Sequence, residues 1–153
     1  MLIMVKEHNN STGIENAIMK SLIIIGAGTF STEIEELVRL NSFTDIVFLD
    51  DKPSKWASPV IGKIRDLPSL RSKYDSAIVA MGNNENRRKY HELLKENGYN
   101  IPILIHPTAY VSPDAQLSPG CIIRAKVVVS RYVKLGEGVV VNIGALIDHH
   151  CEI

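Results

Sequence analysis

Cysteine is nearly absent: two in 153 residues, Cys121 and Cys151. That is too few for a disulfide scaffold or a zinc cluster, so no metal site is implied and a reducing cytoplasm is the expected compartment. Charge of one sign is also lacking. Seventeen Lys and Arg balance seventeen Asp and Glu, and no basic run appears, which argues against a nucleic-acid partner. No apolar stretch approaches the roughly 18 residues of a membrane span. Residues 1–20 mix in Lys6, Glu7, Asn9, Asn10 and Glu15, so they lack the apolar core of a signal peptide. They show no convincing period and are expected to form a mobile leader.

What is present begins at Ser21. Residues 21–26 are a short apolar run, as expected for a strand buried on both faces. The turn Gly26-Ala27-Gly28 follows. Ile34, Leu37 and Val38 then recur at helical spacing, with Thr32 and Glu35 matching a capping box. Residues 46–49 predict a second strand ending on Asp50-Asp51, and 52–59, with two prolines, a loop. Residues 77–81 predict a third strand ending at Gly82-Asn83-Asn84. Over 85–97 the pattern predicts an amphipathic helix with Tyr90, Leu93 and Leu94 on one face, His91 exposed, Arg87-Arg88-Lys89 on the wet side, and Gly98 as its C-cap. Alternating strands and helices imply a mainly parallel sheet with ligands at the strand C-termini.

Past Pro102 the period changes to six. Ile105, Val111, Leu117, Ile123, Val129, Leu135, Val141, Ile147 and Ile153 follow it without a miss. Four residues after each of the first eight stands a small or β-branched residue: Ala109, Ala115, Cys121, Val127, Val133, Val139, Ala145 and Cys151. Neither a helix nor a flat strand has this period. A hexapeptide β-helix does, with the aliphatic side chain turned into the coil. Both cysteines then read as small buried hydrophobes.

The segment Ile105-His-Pro-Thr-Ala-Tyr-Val-Ser-Pro-Asp-Ala115 resembles the opening of the β-helix in bacterial sugar acyltransferases of the sialic acid O-acetyltransferase type. Val47-Phe-Leu-Asp-Asp51, Gly82-Asn-Asn-Glu85 with Arg87, and Val141-Asn142 leading to Ile147-Asp-His-His-Cys151 are similar to the UDP-4-amino-sugar N-acetyltransferase branch. The resemblance spans residues 21–153. It implies an α/β plus all-β chain: a small Rossmann-like nucleotide-sugar-binding domain over 21–101, then an incomplete left-handed parallel β-helix over 102–153. It also implies a homotrimer, a UDP-sugar substrate and acetyl-CoA as co-substrate. The family continues for several more coils, which supply most coenzyme contacts, so the chain reads as C-terminally truncated.

By the same resemblance, Gly26, Ala27, Gly28 and Thr29 would line the phosphate site. Asp50 and Asp51 would contact uridine, Gly82 and Asn83 would close the pocket, and His149 would be the catalytic base. The family's Gly-His-Gly is here Thr29-Phe30-Ser31. The acidic residue that follows the base in the family is here His150, leaving the orienting role to Asp148, His150 or Asn142.

The chemistry suits these residue types. Acetyl transfer needs a base for the attacking amine or hydroxyl, and neutral imidazole serves at cytoplasmic pH. Plainer readings stand beside each residue. His149 and His150 are otherwise solvated turn residues, the glycine turn a tight bend and the Asp pair a solvated strand end. His106, before Pro107, reads as structural. Three functions compete: the acyltransferase, a catalytically inactive paralogue that binds a UDP-sugar or assembles as a trimer, and a nicotinamide enzyme. The last is disfavoured, because it leaves the repeats unexplained.

Overall fold

The computed structural model describes residues 20–52, 55, 57 and 59–153. The leader expected over 1–20 lies, Lys20 apart, outside the described residues, as does part of the loop at 52–59.

Four parallel strands make the first sheet, in the order β3-β2-β1-β4: β1 (Ser21–Ile25), β2 (Asp45–Leu49), β3 (Val60–Gly62) and β4 (Ser76–Val79). The apolar run of β1 lies at the centre, and Leu22, Ile23, Ile24 and Ile25 are all 0% exposed. Helices α1 (Thr29–Leu40), α2 (Leu67–Leu70) and α3 (Asn84–Glu96) flank it. The sequence reading lacks β3 and α2. Each is three or four residues long, and β3 is an edge strand with Ile61 exposed, so neither carries a readable period.

The capping box expected at Thr32 and Glu35 does not form. The chain passes from the glycine turn straight into α1 at Thr29, and Gly28 stands at the N-cap with no side-chain cap. Thr32 therefore falls inside the first turn, where its Oγ1 donates back to the Thr29 carbonyl at 2.7 Å. Gly98 does follow α3 at φ +69°, the left-handed conformation that ends helices.

From Leu104 onward, eight two-residue strands start every six residues: β5 (Leu104–Ile105), β6 (Tyr110–Val111), β7 (Gln116–Leu117), β8 (Ile122–Ile123), β9 (Val128–Val129), β10 (Lys134–Leu135), β11 (Val140–Val141) and β12 (Leu146–Ile147). Each pairs in parallel with the strand three further on, giving the stacks β5-β8-β11, β6-β9-β12 and β7-β10. Three strands thus make one turn of a three-sided, β-helix-like coil. Ile123, Val129, Leu135, Val141 and Ile147 are buried inside it, with Cys121, Val127 and Val133. Ile153, expected inside, is 59% exposed on the last rung.

The first residue of each strand points outward, and the three faces differ. Leu104, Ile122 and Val140, on β5-β8-β11, pack into the α/β core. Gln116 and Lys134 make a polar face, with Lys134 paired to Glu152. Tyr110, Val128 and Leu146 line the third face in register, and Tyr110 and Leu146 are 57% and 77% exposed.

The polar side of α3 faces the coil, which corrects two expectations. His91 is buried at 4% exposure, its Nε2 3.1 Å from the Pro119 carbonyl. Arg87 is half-buried and donates to the carbonyls of Gly138 at 2.9 Å and Met81 at 3.0 Å. The turns at 118–120 and 136–138 leave carbonyls facing α3, and a buried carbonyl needs a donor. Helix polarity alone does not reveal that demand.

Candidate functional site

The α/β loops meet where the parallel strands end. Gly26, after β1, has φ +105°, and a Cβ there would lie 2.9 Å from the Ala80 carbonyl oxygen. Only glycine fits, so this residue serves the fold. Gly28 and Gly82 differ: a Cβ on either would meet nothing within 4 Å, and both are exposed. Gly28 and Thr29 open α1, whose first turn carries no acidic residue, and Gly82 precedes Asn83, the N-cap of α3. Among the described residues no side chain caps the start of α1, and helix N-terminal amides favour an anion.

Asp50 braces that turn. Its Oδ2 accepts from the Ala27 amide at 2.6 Å and its Oδ1 from the Lys52 amide at 2.7 Å. Asp51 is exposed and, among the described residues, accepts one weak bond, from the Ile64 amide at 3.2 Å. Asn83 caps α3, its Oδ1 accepting from the Asn86 amide at 2.9 Å.

The coil presents its turns as three corners. Residues 106–108, 124–126 and 142–144 stack beside α1, and 118–120 with 136–138 stack beside α3. Residues 112–114, 130–132 and 148–150 form the corner opposite the α/β domain. His149 stands on this last corner, exposed, with its Nδ1 2.9 Å from Nδ1 of His150. Asp148 Oδ1 accepts from the His149 amide at 2.7 Å and lies 3.9 Å from His149 Nε2. His150 adopts φ +62°, donates its amide to the Arg131 carbonyl at 3.1 Å, and packs its ring 4.9 Å from that of Tyr132. Within one chain, the glycine turn and His149 therefore sit on opposite sides of the coil.

Asn142 lies on the first corner, and its partner is a residue the sequence reading passed over. Arg124 Nη1 donates to Asn142 Oδ1 at 3.1 Å. The same guanidinium pairs with Glu33 of α1 and lies 5.5 Å from the centre of the Phe30 ring. An arginine in a turn reads as solvated, and only the docking of α1 on that corner gives it partners. His106, on the same corner, accepts from the Thr108 amide through Nδ1 at 3.1 Å, the local structural role expected of it. Cys121 is buried, and burial pushes its thiol above the ordinary range.

Among the described residues, no helix is long and apolar enough to cross a membrane. Residues 21–94 match the PglD N-terminal domain family. A UDP-N-acetylbacillosamine N-acetyltransferase of Bacillus subtilis is 31% identical over 116 residues, which are 70% of this chain and 52% of that protein. The chain thus spans about half the length of this curated relative. The acetyltransferase domain of PglB from Neisseria gonorrhoeae, solved with acetyl coenzyme A, is 40% identical over 87% of this chain and 66% of its own, with TM-score 0.81. A second structure of that domain gives 39% identity and 67% of its length. PerB from Caulobacter crescentus, solved with CoA and GDP-perosamine, is 31% identical over 86% of this chain and 64% of its own, also with TM-score 0.81. The chain belongs to the family of the PglB acetyltransferase domain.

Proposed function

We propose that the protein transfers the acetyl group of acetyl-CoA to the amine of a nucleotide-linked amino sugar, with His149 as general base. The observation that carries this is the likeness, across sheet and coil together, to a domain solved with acetyl coenzyme A. The sugar nucleotide is UDP-linked in this reading. Its phosphates lie against Gly26, Ala27, Gly28 and Thr29, its uridine lies by Asp50 and Asp51, and Gly82 and Asn83 close the pocket. The coil is left-handed, with the domain limits at 21–101 and 102–153. Acetyl-CoA and the sugar nucleotide meet in the cytoplasm.

The amine attacks the thioester carbonyl carbon, a C–N bond forms, the C–S bond breaks, and coenzyme A leaves as thiolate. The amine's proton passes to His149 Nε2. For Nε2 to hold a lone pair, the proton between the two Nδ1 atoms must sit on His149, with His150 accepting it. His150 then does, as a neutral acceptor, what an acidic residue does in the family. It supports the imidazolium less strongly than a carboxylate would.

The site needs a second copy of the chain. The apolar stripe Tyr110, Val128 and Leu146 is the face a homotrimer would bury. With this face turned to a threefold axis, the first corner of one copy meets the last corner, the one that carries His149, of the next. That brings one copy's His149 to another's glycine turn.

The test is coenzyme A release with a UDP-4-amino sugar. His149→Ala should lower turnover about 10²- to 10⁴-fold, and mixing it with Asp51→Ala chains should restore a measurable fraction. Failure of the mixture to recover defeats the shared site, and full activity of His149→Ala defeats the base. Thermal shifts with UDP-sugar, acetyl-CoA and NAD separate the alternatives. A response to UDP-sugar alone favours the non-catalytic paralogue.

A further inference from the structure

We infer that Arg124 is a positioning residue for this reaction: it holds the Asn142 carboxamide with its NH2 group turned outward, as a hydrogen-bond donor to the acceptor sugar nucleotide. The inference rests on the acetyl-transfer reading above.

The orientation follows from chemistry. A guanidinium donates and never accepts. At 3.1 Å from Arg124 Nη1, the Asn142 atom that faces it must be the oxygen. The nitrogen then points away, and among the described residues it has no partner. A free asparagine amide samples both faces, whereas this one is restricted to a donor.

Arg124 is itself held firmly. Its side chain is 16% exposed and is paired with Glu33. Its guanidinium lies 5.5 Å from the centre of the Phe30 ring, and its backbone amide donates to the Val141 carbonyl at 3.1 Å. Phe30 and Glu33 belong to the first turns of α1, directly after Gly28 and Thr29. One side chain thus ties the open helix N-terminus to the amide on the coil. A crevice of about 240 Å³ lies between α1 and this corner of the coil, bordered by Glu33, Leu37, His106, Arg124 and Ile143.

A simple staple between helix and coil would use the same contacts but would not need the outward NH2. Asn142→Asp separates the two roles. It keeps an oxygen for Arg124, with a stronger charge-assisted bond, and removes the donor. We expect Asn142→Asp and Arg124→Met each to raise the acceptor KM about tenfold or more, with kcat much less affected. The double variant should be no worse than the poorer single one, because both remove the same contact. Arg124→Lys, which keeps the charge beside Glu33, controls for loss of docking. An Asn142→Asp protein with the parent's KM, or a double variant whose losses multiply, overturns the inference.

If the parent shows no transfer, the functional reading fails first, and UDP-sugar affinity by calorimetry replaces KM for the same variants. The Asn142 side-chain NH2 signals, assigned by their loss in Asn142→Asp, give a readout independent of ligand. A shift of those signals in Arg124→Met is expected, and unchanged signals refute the hold.

Discussion

Gly120→Ala tests the joint between the α/β domain and the coil. Gly120 has φ +78°, and a Cβ there would lie 2.7 Å from His91 Nε2, 2.8 Å from its Cδ2 and 3.3 Å from Ile101 Cγ2. The ring has little room to retreat, being 4% exposed and bonded to the Pro119 carbonyl. Alanine pays about 1–2 kcal/mol for the left-handed backbone. Displacing the ring from its bond costs about 1 kcal/mol more, and overpacking about 1–3 kcal/mol. The sum, about 3–6 kcal/mol, is a large share of the stability of a small protein. Gly144→Ala is the control: φ is +72°, but nothing lies within 4 Å of its Cβ, so only the backbone cost of about 1–2 kcal/mol applies. Urea unfolding of both variants measures the difference. His91→Ala in the Gly120→Ala background should recover part of the loss by vacating the space. If Gly120→Ala is no less stable than Gly144→Ala, the tight seating of His91 on the coil is wrong.

Three further outcomes follow from the geometry. Asp51→Ala should weaken UDP-sugar binding about tenfold without unfolding the protein, because among the described residues its carboxylate accepts one long bond, from the Ile64 amide; unchanged affinity by calorimetry removes it from the site. The hydrogen bond from Lys95 holds the Glu137 carboxyl below its ordinary range, and the same bond holds Lys95 above its own. A depressed carboxyl contributes stability above its unfolded value, near 4.3, and loses it as pH falls through the folded value. A raised lysine contributes below its unfolded value and loses it as pH rises through the folded one, so Glu137→Gln should flatten both the acid and alkaline limbs of unfolding midpoint against pH, and unaltered limbs would contradict the pair. Finally, a thiol reagent should modify half-buried Cys151 well before buried Cys121; equal rates would contradict the packing of Cys121 inside the coil.

Much of this architecture was legible from local pattern. The run at Leu22–Ile25 announces a central strand because a strand covered on both faces has no polar side to alternate with. The six-residue period announces the coil because each rung repeats one geometric demand, an aliphatic side chain turned inward. Both signals are properties of neighbouring residues, so no tertiary information is needed to read them. The acidic and glycine residues at 26–29, 50–51 and 82–83 were likewise visible as strand ends.

Other features were decided only when distant segments met. His91 and Arg87 look like the wet side of a helix until carbonyls at Pro119 and Gly138 come to face them. Arg124 looks solvated until α1 supplies Glu33 and Phe30. Asp50 could be a solvated strand end until the Ala27 amide takes one of its oxygens. The tertiary structure also determines which side of the coil the α/β domain covers. That choice leaves Tyr110 and Leu146 exposed and puts His149 on the corner opposite the glycine turn. The physical reason is common to all of them: periodicity reports which side chains turn inward within one element, whereas a buried polar group is satisfied by whatever donor or acceptor the packing brings to it.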